Sequence, residues 1–557
     1  MAASPRPPRV ISQGRAEPPR IRVAPAYGRR GSLQRYEEVT FLGSTFDEID
    51  LDEVVEERAL TGGSATIGTR EGAWCYLLRP AEVSLAENAR RAIETMMGKL
   101  PESVNLDTAG LLRDQKLTRE LVRTVVMQAA PKNIGMDRGE AAEIVSRYSV
   151  GFGPLELLLS DGLVEDVLVS SPSSSNPVNV VTRLGNGVSG SVFCRTNVRI
   201  SEEQLERTVT KAMIFHGGEL SALKPILELE IPHLRARLSA AGQPASPLGL
   251  SLTFRRRSEH LWTLPRLIAG GSVSWTAAGF LSLCCSARAS IVIAGGRGSG
   301  KTTLLSSLLP ELPCTGRTLV MEDTQELPVT QLQREGLSAQ SLSLAGGIDR
   351  ASSVMRAALR MGEGAIVVGE IRGEEARILF ESIRTGTAGS SVLGTLHASD
   401  SAAVRDRIVL DMRLEEKSFQ AIDLIAMMRQ RGDPATGTAR RCLSELSLVD
   451  PEGGMKAVFK TDEEGHCGTF PESLMGAKGL GERLAAHIGI GADKIILASR
   501  IRGFMKQVQA AEWMRAGDER LISVKATRAV NGIAVDYGSV PDPARLKAAV
   551  VETLEGI

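Results

Sequence analysis

Lys301 and Thr302 close a glycine-rich run, Gly295-Gly296-Arg297-Gly298-Ser299-Gly300-Lys301-Thr302-Thr303, which follows the β-branched apolar residues 291–294. Spacing of this kind suits a phosphate. Glycines let backbone N–H groups turn inward at positive φ, where a Cβ would clash and stand between amide and oxygen. Lys301 then offers a point charge to β- and γ-phosphates, and the Thr302 hydroxyl offers a ligand to Mg²⁺. A buried strand before the run and a segment of helical composition after it, 303–309, separate this reading from a mere glycine-rich turn.

Three further stretches carry groups suited to the same chemistry. T-L-V-M-E-D-T-Q-E-L, 318–327, brings Glu322, Asp323 and Glu326 to the end of an apolar strand. Carboxylates there hold Mg²⁺ through water or orient an attacking water, although a surface acidic turn looks the same locally. A-I-V-V-G-E-I-R-G-E-E-A, 365–376, is an apolar strand leading to Glu370, a candidate for the metal's surroundings or for deprotonating a water in line with the γ-phosphate. Gly369 separates Glu370 from the apolar run, where the usual counterpart follows directly. L-G-T-L-H-A, 393–398, ends at His397, placed to report the presence of a γ-phosphate; a lone histidine is more often structural.

The elements that must position these groups alternate. Strands are expected at 291–294, 318–321, 365–368 and 391–396, with helices from 302, at 351–360 and at 374–385. Such alternation signals a mostly parallel sheet covered on both faces, with ligand groups at the strands' carboxyl ends. Upstream, 148–260 reads as an α+β domain with strands at 178–182, 191–198, 234–239 and 248–257 and a helix at 202–215. Residues 61–147 read as a small helical subdomain, with helical spacing over 80–100 and 118–130. Residues 1–60 read as a disordered Arg/Pro-rich tail followed by an acidic segment, whose run Asp47 to Glu57 is taken as a solvated helix face. A nucleotide domain occupies 261–450. The mixed region 451–557 has a polar span at 461–468 and amphipathic stretches at 478–487 and 544–554, with no chemistry attached.

Composition narrows the class. At 557 residues the chain exceeds one core, and 43% hydrophobic with 24% charged residues is ordinary for a globular protein. A net charge of zero argues against a nucleic-acid partner, the local exception being the arginines of the tail. No apolar run reaches the roughly 18 to 20 residues a membrane helix needs. Pro and Arg interrupt the N-terminus before any signal-peptide core forms, so a cytoplasmic protein is expected, touching a membrane only through a partner. Seven cysteines without a CxxC pair point to reduced thiols, with Cys284 and Cys285 as small core residues at a helix end.

In this order and spacing, the four stretches resemble the Walker A, Asp box, atypical Walker B and His box of the secretion ATPase superfamily. That superfamily powers type II and type IV secretion, type IV pili and archaeal flagella, and the chain looks most like the archaeal type II/IV secretion system ATPases. I-P-H-L-R-A-R-L before Ser239, G-L-S-L-T-F-R-R-R from Gly249, W-T-L-P at Trp262, G-F-G-P-L and D-G-L-V-E-D-V carry the likeness further, over roughly 74 to 480. The resemblance implies an α/β fold in which a RecA-like P-loop domain, 261–450, is preceded by the α+β domain and the helical subdomain. It implies ATP and Mg²⁺ as ligands and a cytoplasmic homo-hexamer working on a polytopic membrane platform protein. Each nucleotide would lie between the N-terminal and RecA-like domains. By that likeness Glu370 activates water, Glu322 and Glu326 support metal or water, Thr302 and Glu370 are the metal candidates, and His397 senses the γ-phosphate. Arg255 and Arg256, with Arg235 and Arg237 as second candidates, match the arginines that clamp the γ-phosphate; an ordinary basic strand edge is the plainer reading. Arg360 and Arg372 are candidates for the subunit interface. Met361-Gly362-Glu363-Gly364 stands where many members carry Arg-Pro-acid. The expectation is an ATP-hydrolysing motor that assembles a filament or drives secretion. A nucleic-acid translocase on the same core, and an ATP-gated scaffold with little hydrolysis, are the alternatives.

Overall fold

Period-two burial builds the first half of the molecule. The computed structural model describes residues 38–557 apart from 104–113, 132–134, 186–189, 258–260, 314–315, 346, 362–363, 373–374, 385–390, 434–437, 451, 462–480, 483, 486–488, 536 and 538–539. The expected tail up to residue 37, the polar span from 462 and part of the stretch 478–487 lie outside the described residues. Strands β1 (Glu38–Phe41) and β2 (Ser44–Asp47) precede β3 (Glu53–Leu60), β4 (Gly63–Arg70) and β5 (Ala73–Pro80). Next come β6 (Val164–Val169), β7 (Asn179–Arg183), β8 (Ser191–Thr196), β9 (Val198–Ile200), β10 (Ile226–Ile231), β11 (Ala236–Ala241) and β12 (Ser251–Arg256). Pairing runs β10–β11–β12–β6–β7–β8–β5–β4–β3, antiparallel except for β8 beside β5. Strands β1, β2 and β9 form a small separate sheet. Leu252 and Phe254 of β12 and Leu238 of β11 point into a core shared with Phe152 and Tyr76. Their neighbours on the other face stay polar, as a one-sided sheet requires.

Two expectations fail here. The acidic run is strand, not helix: Asp47 ends β2 and pairs with Arg199 at 2.6 Å, and Glu53, Glu56 and Glu57 lie in β3. Their charges hid β-branched Val54 and Val55 and the glycine turn at Gly62 that returns the chain into β4. So the part of 1–60 from Glu38 onward is ordered, and 61–147 opens with β4 and β5 before its helices α1 (Glu87–Ser103), α2 (Gln115–Ala129) and α3 (Arg138–Ser149). Helix α4 (Glu202–His216), capped by Ser201, matches its expected position.

The second half is doubly wound. Helix α5 (Trp275–Ser286) leads to β13 (Ile291–Gly295), α6 (Lys301–Leu308), β14 (Arg317–Glu322) and β15 (Ala339–Ser343). After these follow α7 (Ile348–Ala358), β16 (Gly364–Val368), α8 (Glu375–Arg384), β17 (Ser391–His397) and the strands β18 (Leu424–Asp433), β19 (Thr438–Val449) and β20 (Met455–Lys460). Their order is β15–β14–β16–β17–β13–β18–β19–β20, parallel through β18 and antiparallel beyond. Ile291 and Ile293 bury against α5 and α6, whereas Val292 and Ala294 bury against the layer of α7 and α8. Apolar residues at every position of β13 therefore serve two cores. One ladder position, Ala439 opposite Ser191, joins this sheet to the first.

Beyond it, α9 (Ile495–Ala516), α10 (Val524–Asn531) and α11 (Pro543–Glu555) pack on one another, and Ile495, Ala498 and Val524 join the core of α5 and α6. Helix α9 crosses α5 so closely that a β-carbon on Gly279 would lie 2.1 Å from the Ser499 carbonyl, and one on Gly503 2.3 Å from that of Trp275. Only glycines permit that approach. Cys284 and Cys285 are fully buried at the end of α5.

Candidate active site

The carboxyl ends of β13, β14, β16 and β17 bring the chemistry to one edge of the sheet. Strand register sets His397 directly beside Gly295 at the mouth of the loop. A β-carbon on Gly295 would stand 2.2 Å from the Met428 carbonyl of β18, so that strand fixes where the loop begins. Gly298 and Gly300 take φ of +72° and +92°, and Gly300 is the residue that starts α6. Ser299 is buried, with its hydroxyl 2.9 Å from the Gly296 carbonyl, while Gly296, Arg297 and Gly298 are exposed. Thr302 and Thr303 are half-buried in the first turn of α6.

Lys301 is the buried centre of the site. Its Nζ donates to the Gly296 carbonyl at 2.8 Å and meets Nδ1 of His397 at 3.2 Å. An ammonium only donates, so Nδ1 accepts and the ring proton belongs on Nε2. That nitrogen lies 3.3 Å from Oε1 of Glu370, whose other oxygen pairs with Arg372. Burial, then the Lys301 charge, hold His397 below its ordinary range, with Glu370 pulling the other way. Burial also lowers Lys301, partly offset by Glu370 and Glu326. The result is a line Lys301–His397–Glu370–Arg372 with a neutral ring in the middle.

Glu322 ends β14 in a buried position. One oxygen accepts N–H groups from Glu326 and Leu327, both at 2.9 Å, and the other has no hydrogen-bond partner among the described residues. Burial pushes this carboxyl up to about 7 against those amides. Glu326 itself is exposed beside it. Gly369, the residue out of step with the usual pattern, proves steric: a β-carbon there would lie 2.8 Å from Cγ of Glu322. Its carbonyl also takes the Thr395 hydroxyl at 2.5 Å.

The arginine pair divides. Arg255 sits opposite Arg237 of β11 and Asp166 of β6, and its charge bears on Lys301. Arg237 reaches over to the acidic loop, donating to the Thr324 hydroxyl at 2.9 Å while pairing with Glu228. Arg256 points to the other face, where it is buried and donates to the Gly162 carbonyl at 3.0 Å. The structure thus brings Arg237 to the acidic loop after β14 and the Arg255 charge to Lys301, and does not bring Arg256. Alternation along β12 is the cause: Arg256 shares the face of Leu252 and Phe254. Arg235 adopts a left-handed φ of +50° in the turn before β11, and Arg360 is exposed just past α7. Of the unusual 361–364 run, Gly362 and Glu363 lie outside the described residues.

Sequence reading missed a residue at the loop. Arg441 of β19 donates Nε–H to the Gly298 carbonyl at 3.0 Å, and no motif or spacing marked it. Among the described residues no group of three or more His, Cys, Asp or Glu is disposed to hold a metal ion. The Glu322 oxygen that has no hydrogen-bond partner among the described residues lies at the carboxyl end of β14.

The profile of the type II/IV secretion system protein family matches residues 226–435, from β10 through the loop to β18. A protein of Mycobacterium tuberculosis named as a putative conjugal transfer protein is 31% identical over 265 residues, 46% of this chain and 72% of the relative. The type IV secretion system protein PtlH of Bordetella pertussis is 28% identical over 232 residues, 37% of this chain and 67% of PtlH. Among solved structures, the VirB11 ATPase of the Brucella suis type IV secretion system is 22% identical, covering 53% of this chain and 92% of that one with a TM-score of 0.26. By the family profile and the mycobacterial relative, the chain belongs to the type II/IV secretion system protein family.

Proposed function

We propose that this protein is an ATP-hydrolysing motor, assembled as a homo-hexamer at a polytopic membrane platform protein, that powers a type IV pilus-like filament or type II/IV-like secretion. The observation that carries the reading is the line Lys301–His397–Glu370 at the loop mouth, with Arg237 and Arg255 of the preceding domain on the same side. The relative named for type IV secretion supports the export side of it. Among the described residues no helix is long and apolar enough to cross a membrane, so the contact is assigned to a partner.

ATP phosphates would lie in the cradle of Gly295 to Thr303, with Lys301 moving its charge from His397 to the β- and γ-oxygens. Thr302 would hold Mg²⁺, with Glu370 meeting the ion through water, and the ion would supply charge neutralisation at those oxygens. Glu370 accepts a proton from water as the water oxygen attacks the γ-phosphorus and the bond to the β–γ bridging oxygen breaks, leaving ADP and phosphate. General-base help of this kind contributes about 10² to 10⁴ in rate. His397 loses Lys301 as a partner when the γ-phosphate is present and regains it afterwards, which makes it a sensor. Arg255 and Arg237 supply fixed charge from the other domain, so their contacts exist only while the γ-phosphate does, and hydrolysis moves one domain against the other.

Steady-state phosphate release against protein concentration, with oligomer mass on the same samples and Lys301→Ala as control, tests this. Specific activity rising as a hexamer forms, with the control inactive, is the expected outcome. Assembly driven by ATP with release no faster than the control would replace the motor by a scaffold. Stimulation by single-stranded DNA would favour a translocase.

A further inference from the structure

The loop is gripped from outside by a charge cluster that the proposed chemistry does not use. Arg441 uses all three nitrogens: Nε on the Gly298 carbonyl at 3.0 Å, Nη1 and Nη2 on the two oxygens of Glu165 at 2.9 and 3.0 Å. Glu165 lies in β6, in the other domain. The same carboxylate takes Arg183 of β7 at 2.6 Å and the Ser191 hydroxyl of β8 at 2.8 Å. Burial alone would raise Glu165, yet the Arg441 fork and the Arg183 charge outweigh it and hold the group at about 2. Arg183 in turn lies 4.6 Å over the ring of Trp262, in the connection between the domains. Arg266 faces that ring from 5.9 Å and the ring of Trp513 in α9 from 4.8 Å. One continuous set of contacts therefore runs from the phosphate loop through both domains to the C-terminal helices.

What Arg441 holds is a peptide plane. In a trans peptide the carbonyl and the following N–H point opposite ways, so holding the Gly298 oxygen sets the direction of the Ser299 N–H, which here donates to the Gly296 carbonyl at 3.4 Å. The stem of Arg441 also lines the loop, since a β-carbon on Gly300 would lie 3.5 Å from its Cβ and Cδ. We propose that Arg441 and Glu165 are positioning residues for nucleotide binding, through which the N-terminal domain sets the shape of the phosphate loop. The proposal rests on the ATPase reading of this site and adds its regulation. When the N-terminal domain turns, Glu165 carries Arg441 with it and the loop loosens its hold on the phosphates. By reciprocity, bound nucleotide favours the docked domain.

Nucleotide affinity of the full chain, read with a fluorescent ATP analogue and Mg²⁺, is the test, alongside KM and kcat for phosphate release. Glu165→Gln, Arg441→Lys and the pair together are compared with wild type. Lysine keeps the charge but lacks the planar fork that holds both Glu165 oxygens while Nε reaches the Gly298 carbonyl. Each single variant is expected to weaken binding and raise KM about five- to tenfold, more than it lowers kcat, and the double variant to be no worse than the poorer single one. Binding within twofold of wild type, or losses that multiply in the double variant, overturns the proposal; so does a lowered melting temperature with affinity unchanged. Phosphate release no faster than Lys301→Ala sinks the motor reading, while the binding series still decides for or against Arg441 and Glu165. A wild-type chain that binds no nucleotide overturns both.

Discussion

Two buried lysines show how the same residue type is put to different ends. Lys506 of α9 is fully buried against Glu311 at 2.6 Å and Asn531 of α10 at 3.0 Å, and Glu311 also accepts from Ser282 and Asn531. The ammonium donates to two acceptors and its charge is matched by a carboxylate. Lys301 is also buried, but its partners are a carbonyl and a neutral imidazole, and among the described residues no carboxylate forms an ion pair with it. Burial lowers both ammonium groups. A carboxylate-matched pair locks α9 to the segment after α6, whereas an ammonium lacking a contacting anion retains its attraction for phosphate.

If that contrast holds, Lys506→Met damages stability and spares chemistry. Leaving Glu311 buried and unpaired should cost about 3–5 kcal/mol, read as a lower urea midpoint, and adding Glu311→Leu should recover most of it. A midpoint that does not move would show the pair to be idle. Lys301→Ala should do the reverse, lowering phosphate release roughly a hundredfold to a thousandfold with the urea midpoint nearly unchanged. Loss of folding in that variant would erase the distinction between the two sites.

Glu322 extends the contrast to carboxylates. Its folded pKa of about 7 exceeds the ordinary 4.5, so the folded state binds this proton more tightly than the unfolded one. The group is therefore harmless below pH 4.5, becomes destabilising as pH rises towards 7, and its cost levels off above, at roughly 3 kcal/mol. Glu322→Gln keeps an acceptor for the two amides and cannot ionise. Between pH 5 and 8 its urea midpoint should fall less than that of wild type; parallel curves would show that Glu322 ionises normally.

The nucleotide half was legible because its signals are continuous. Buried parallel strands read as unbroken apolar runs, and Lys301, Glu370 and His397 stand where those runs stop. Elsewhere the cues compete. Strand β15, Ala-Gln-Ser-Leu-Ser, is an edge strand without apolar alternation, and charge concealed β3. Arg255 and Arg256 look equivalent as neighbours, although the alternation Leu252–Phe254–Arg256 already assigned one of them to the core face. Arg441 and Glu165 are 276 positions apart, beyond the reach of any local pattern.

Gly369 gives the smallest effect and the finest test of how the acid edge is built. An alanine methyl there would meet Cγ of Glu322 at 2.8 Å and Oε1 at 3.3 Å. Glu322 cannot swing aside without giving up the Glu326 and Leu327 amides, and Gly369 cannot retreat because its N–H bonds the Met321 carbonyl at 2.8 Å and its carbonyl takes Thr395. Gly369→Ala should thus cost about 1–3 kcal/mol, the range for overpacking a close-packed site. Glu322→Ala removes the atoms it strikes, so the double variant should be less destabilised than the two single losses added together. Additive losses would mean that the methyl strains the backbone instead. In that event Gly369 would serve the turn into Glu370, and the fit between the two acidic strand ends would not be what excludes a side chain.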